Sequence, residues 1–188
     1  LSTRRQRQMC IRDRICPASI TTWLAPSFLA PIFGEFAWWE SPRYGIDFSA
    51  ARESAVNDTY NVQCPSPQLL SAPPLSFGEI HPTQPAPAAE GTLEWTFDRP
   101  GPIDCVLGWF TAQLAPEHVL DTGPGCATHW GQQFFPVPTL MVAPGGRLRF
   151  RLSVTTGHLD LPTYTWEGTY TPPDGGEPVH FVRGQDRR

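Results

Sequence analysis

Arg147-Leu148-Arg149-Phe150-Arg151-Leu152 alternates guanidinium and apolar side chains at every step. A period of two sends the two kinds to opposite faces of an extended chain, so this stretch reads as a strand with Leu148, Phe150 and Leu152 turned to a core. Its three arginines then form a solvated strand face, a reading favoured over a phosphate site. Just upstream, Pro144-Gly145-Gly146 supplies a turn, preceded by the apolar run Gln133-Phe134-Phe135-Pro136-Val137-Pro138. Thr92-Leu93-Glu94-Trp95-Thr96-Phe97 repeats the alternation, with Leu93, Trp95 and Phe97 on one face. Val106 to Leu114, Ser19 to Pro26 and Thr163 to Tyr170 are rich in β-branched or aromatic residues and read as further strands. Val56 to Val62 reads as a short polar strand. Thr163 to Tyr170 reads as the last one, before the turn Pro172-Pro173-Asp174-Gly175-Gly176. Short antiparallel strands joined by turns imply an all-β barrel or sandwich.

Composition agrees. A chain of 188 residues that is 40% hydrophobic holds one domain with a real core, and 22 prolines with 16 glycines weigh against long helices. Fourteen arginines and no lysine point to a GC-rich coding sequence, and a formal charge of −4 gives no reason to expect nucleic acid as a ligand. No apolar run approaches the roughly 18 residues that span a bilayer, and no signal-peptide core follows the basic start, so neither membrane nor secretion is expected. Cys10, Cys16, Cys64, Cys105 and Cys126 include no C-x-x-C pair, which excludes the usual zinc and redox spacings and suits a reducing cytoplasm. Asn57-Asp58-Thr59 has the form of a glycosylation sequon but reads as an ordinary turn. His81 to Gly91 reads as a flexible surface loop.

Between the first strand and this body the character changes. Phe33, Phe36 and Trp39 recur at spacings of three, compatible with one or two helical turns that Pro42 stops. Neighbouring Trp38 and Trp39 point about 100° apart on a helix, so one of them is expected to bury against another chain. Tyr44-Gly45-Ile46-Asp47-Phe48-Ser49 returns the chain to the body. Glu35 and Glu40 read as solvated carboxylates.

The grouping most like a site is Thr128-His129-Trp130-Gly131-Gln132, which sets an imidazole beside an indole and an amide between two strand-like runs. Loops at the mouth of a β scaffold usually carry function. By itself His129 reads as a strand-end histidine satisfied by backbone. His81, His118, His158 and His180 read as surface or loop residues.

Taken in order, these pieces resemble the carboxy-terminal β-barrel half of the protein arginine methyltransferases. Pro17 to Pro26 looks like the first barrel strand; Trp38-Trp39-Glu40 and Tyr44 to Ser49 are similar to the dimerisation arm; Trp109-Phe110, Thr122-Gly123-Pro124 and Thr128 to Gln132 complete the series. The resemblance covers about Ile15 to Tyr170 and implies a barrel domain over 15–175, with a short helical arm at about 28–52 and a tail at 176–188. It implies that Thr128, His129 and Trp130 wall the pocket of the substrate arginine. His129 would have a supporting catalytic role at the interface with the cofactor domain. The arm residues would be Phe36, Trp38, Trp39 and Tyr44. The threonine–histidine–tryptophan loop is the form associated with asymmetric dimethylarginine products. An arginine-containing protein would be the substrate, the assembly a homodimer, and S-adenosylmethionine the cofactor of the full-length protein.

The family's α/β cofactor domain has no counterpart here: no strand leads through G-x-G-x-x-G into a helix, so the chain by itself is expected to bind no cofactor and to be inactive. Residues 1–14, with five arginines, resemble a translated transposase-end adapter from a sequencing library and are expected to be non-native. Without them the charge is about −8, and the native amino-terminal portion is expected to be missing. The competing class is a non-enzymatic, aromatic-rich β module that binds carbohydrate or a protein; a methyltransferase with a non-protein substrate is a second rival.

Overall fold

Alternation in sequence becomes alternation in burial. Along Arg147–Thr156, which we call β8, Leu148, Phe150 and Leu152 are buried while Arg147, Arg149 and Arg151 are exposed. The computed structural model describes residues 15–30, 42, 44–84, 89–156 and 161–185. The remaining strands are β1 (Ser19–Ser27), β2 (Tyr60–Val62), β3 (Leu75–Ile80), β4 (Glu90–Thr96), β5 (Gly101–Ala115), β6 (His118–Asp121), β7 (Gln132–Val142), β9 (Pro162–Thr171) and β10 (Val179–Gly184). One α-helix, α1 (Ser49–Val56), and a 3₁₀ turn at Pro67–Leu69 complete the described elements. No described helix is long and apolar enough to cross a membrane.

The strands form two antiparallel sheets, one ordered β2-β7-β5-β1-β3 with β6 also on β5, the other β10-β9-β8-β4. Leu24, Val106 and Phe135 of the first meet Phe150, Trp166 and Phe181 of the second in the main core. The Trp166 indole N–H donates to the Pro136 carbonyl at 2.7 Å, joining one sheet to the other. A second core uses the opposite face of the larger sheet, where Cys105 and Leu107 of β5 and Phe134 of β7 meet Leu29, Val62 and Cys64. Both faces of β5 are therefore covered, which is why Cys105 to Gly108 is buried without alternation.

β7 contains two prolines, and its pairing with β5 shows how Pro138 is tolerated. Cys105 pairs with Pro136 and Ile103 with Leu140, a register shift that takes Val137, Pro138 and Thr139 out of the ladder. A proline has no N–H to donate, so an interrupted ladder is where it fits.

Three sequence expectations change. Val56 ends α1, so only Tyr60–Val62 of the expected Val56–Val62 strand is extended. Thr163 to Tyr170 is not the last strand, because β10 pairs along β9 from Val179↔Tyr170 to Gly184↔Thr165. The stretch 176–188 therefore supplies an edge strand to the fold. Asn57 turns the chain as expected but is only 4% exposed; its side chain caps Glu53 and accepts from the Gly184 N–H, fastening α1 to β10. Phe36, Trp38, Trp39, Glu35, Glu40 and His158 lie outside the described residues, as do residues 1–14 and positions 31–41 and 43 of the arm.

Candidate functional site: the His129–Trp130 loop

β6 ends at Asp121 and β7 begins at Gln132; the ten residues between them carry the loop. Its first end is fixed to β5 through Thr122, which is fully buried: its hydroxyl donates to the Phe110 carbonyl at 2.8 Å and accepts from the Phe110 N–H at 3.1 Å. Gly123 donates to the Asp121 carboxylate at 2.7 Å, and Gly125, at φ +81°, turns the chain so that its N–H reaches the Cys64 carbonyl at 2.9 Å. Partial burial and the neighbouring Asp121 carboxylate push the Cys126 thiol up, so it is a poor nucleophile. Thr128 folds the tip on itself, its N–H reaching the Cys126 carbonyl at 3.0 Å and its hydroxyl the Trp130 carbonyl at 2.9 Å.

This arrangement stands His129 and Trp130 out at the rim. His129 is exposed and Trp130 is 48% exposed. The indole meets the Phe110 ring edge-to-face at 6.0 Å and the imidazole at 6.2 Å, so one ring edge is supported while solvent reaches the rest. A half-exposed indole face can take a guanidinium by cation–π contact worth about 0.5–2 kcal/mol, and an exposed imidazole can hold a carboxylate. Thr128, His129 and Trp130 together form the tip of this loop.

Tyr44, the one expected arm residue within the described chain, is 95% exposed in the left-handed region at φ 54° and is followed by Gly45 at φ 75°. Ile46 beside it is 55% exposed. Asp47 is fully exposed, and the Ser49 backbone N–H holds its carboxyl below the usual carboxylate range.

The arginine stripe of β8 is a solvated face. A groove of about 580 Å³ crosses the outer face of the smaller sheet between Thr92, Arg149, Glu167, Thr169 and His180. Arg151, which also lines it, is held between Glu90 and Glu167. Glu94 pairs across from Arg149. Charge is balanced, so nothing there selects an anion. His118 and His180, read from the sequence as surface or loop residues, are exposed residues of β6 and β10, with His180 in hydrogen-bond contact with Thr169 at 2.8 Å.

No protein-family profile and no curated protein sequence matches the chain. Solved structures do match its fold. The Trypanosoma brucei PRMT1 enzyme–prozyme heterotetrameric complex with AdoHcy aligns at a TM-score of 0.72 over 91% of this chain, with 11% identity. Protein arginine methyltransferase 10 of Arabidopsis thaliana, in an open conformation, aligns at 0.68 over 89% with 18% identity. PRMT6 aligns at 0.55 over 81% with 20% identity. The chain has the barrel fold of the arginine methyltransferases. It spans 58%, 59% and 54% of the lengths of those three chains. At these identities the likeness to the methyltransferase barrel is one of fold.

S-adenosylmethionine, which that barrel's full-length relatives would imply, does not fit the described residues. Every described sheet pairing is antiparallel. Among the described residues no crossover helix joins parallel strands to place a phosphate- or nucleoside-binding turn at a helix start.

Proposed function

We propose that this chain is the substrate-side barrel of an S-adenosylmethionine-dependent protein arginine N-methyltransferase. The observation that carries the reading is the His129–Trp130 pair standing exposed at the rim of a barrel shared with arginine methyltransferases. The Trypanosoma brucei complex holds AdoHcy, the demethylated form of that cofactor, which supports the cofactor class. The cofactor belongs to a separate α/β domain, and this chain alone is inactive.

In this reading Trp130 packs on the substrate guanidinium and Thr128 closes the same wall. His129 holds a carboxylate of the cofactor domain, a supporting role at the domain interface. The threonine–histidine–tryptophan form favours asymmetric dimethylarginine as product. The Trypanosoma brucei neighbour is an oligomer. A homodimer here would form through the arm of Phe36, Trp38, Trp39 and Tyr44. The enzyme works in the cytoplasm on an arginine-containing protein. The aromatic carbohydrate module is disfavoured, because of the tryptophans among the described residues only Trp130 is exposed.

The test restores the upstream domain from the same genomic source ahead of Ile15 and measures methyl transfer to arginine-rich peptides. Transfer is expected, reduced about 10- to 100-fold by His129→Ala, as loss of a charge-assisted hydrogen bond worth about 1.5–3 kcal/mol implies. An upstream frame without a methyltransferase domain, or transfer only to small non-protein acceptors, would overturn the reading.

A further inference from the structure

The two ends of the His129–Trp130 loop are joined by a single side chain. Gln132 is 1% exposed, and its amide nitrogen donates to the Thr122 carbonyl at 2.7 Å and the Gly123 carbonyl at 3.3 Å. Its amide oxygen accepts from the Cys64 N–H at 2.7 Å. Cys64 lies two residues beyond the end of β2, where the ladder that pairs Val62 with Gln132 has stopped. The amide thus closes the base of the loop and bolts that base to the Cys64 segment. Thr122 on Phe110 and the Gly125 N–H on the Cys64 carbonyl hold the first half of the loop, whereas the hydrogen bonds of Thr128 and Cys126 are local, so Gln132 is the side chain that ties the second half to the same base.

From this geometry we infer that Gln132 is a positioning residue, one that fixes the direction in which His129 and Trp130 leave the barrel. Its meaning for catalysis rests on the methyltransferase reading. The chemistry requires an amide: one group must accept from Cys64 and donate to two carbonyls at once. A carboxylate has no donor to offer, and a thioether of similar volume supplies neither strong donor nor strong acceptor. Without the amide, the segment from Cys126 to Gly131 is anchored firmly at one end only and samples more closures, so a wrong direction at the tip costs transfer.

Two measurements on the 188-residue chain test this. In the unsubstituted protein the Cys64 amide hydrogen, outside any strand, is expected to exchange as slowly as β7 amides; exchange at the rate of an open loop would overturn the inference whatever the variants do. With 5-fluorotryptophan incorporated, the Trp130 fluorine resonance, assigned by its loss in Trp130→Phe, is expected to shift or broaden in Gln132→Glu and Gln132→Met. The resonances of buried Trp95 and Trp166 are expected to stay in place. An unmoved Trp130 line, or all lines moving together, would remove the positioning role. In the reassembled enzyme Gln132→Met, assayed below its own melting transition, is expected to lower kcat/KM about 10- to 100-fold. Absence of methyl transfer in the unsubstituted enzyme would instead defeat the methyltransferase reading, with hydrogen exchange and fluorine spectra still deciding the role of Gln132.

Discussion

Gly131 shows how little latitude the loop has at the scale of a residue. A β-carbon there would sit 2.7 Å from the Val62 carbonyl oxygen and closer still to the Asn61 side chain. Val62 belongs to the β2–β7 ladder and has no room to retreat, so Gly131→Ala is expected to destabilise the chain by about 1–3 kcal/mol. Thermal unfolding measures this directly, and an unchanged melting temperature would show that β2 can move. The neighbouring His129 and Trp130 were legible as a pair because their chemistry is written in adjacent residues. Gln132 was visible as the amide of the same grouping, but its task was not. Its partners lie 10, 9 and 68 positions away, and no local pattern records a bond of that kind.

Strands differ in how openly their sequences declare them. β8 and β4 alternate because one face meets the core and the other meets water, and a period of two is the direct consequence. β10 was hidden. His-Phe-Val-Arg follows a proline- and glycine-rich turn with only one residue, Phe181, fully committed to the core. That residue matters: its ring packs on Gly168, where a β-carbon would come within about 3 Å of three ring carbons. Phe181→Ala is expected to cost about 3–5 kcal/mol, measured by denaturant unfolding. A cost below about 1 kcal/mol would mean that β10 is the dispensable tail the sequence suggested. On the outer face of the same sheet, Arg151 is half exposed between Glu90 and Glu167. Such pairs contribute little in water.

At the scale of the whole molecule, the pH dependence of stability reflects a carboxyl that the fold partly removes from solvent. Asp104 sits on β5 beside the register shift, where its oxygens accept from the Leu29 N–H at 2.9 Å and the Ala30 N–H at 2.6 Å. Burial raises its pKa above the ordinary 3.8, and these hydrogen bonds only partly oppose it. The folded state therefore holds the proton more tightly than the unfolded chain. The resulting contribution to stability is complete below the unfolded value and is lost as pH rises through the folded one. The difference in unfolding free energy between the native chain and Asp104→Asn is expected to move in favour of the native chain as pH falls from 7 towards 4. A movement the other way would show that the hydrogen bonds outweigh desolvation.

Local order of side chains was enough to determine that the protein is all-β, which faces of β4 and β8 are buried, where the main turns fall, and that His129 and Trp130 form a pair. Those properties follow from the steric and hydrophobic preferences of neighbours a few residues apart. Tertiary structure alone decided that β5 is buried on both faces, that β10 closes the smaller sheet, that Asn57 is an internal cap, and that Gln132 governs the loop. Each depends on groups brought together across dozens of residues, where the free energy resides in desolvation and hydrogen bonding that exist only after the sheets have packed.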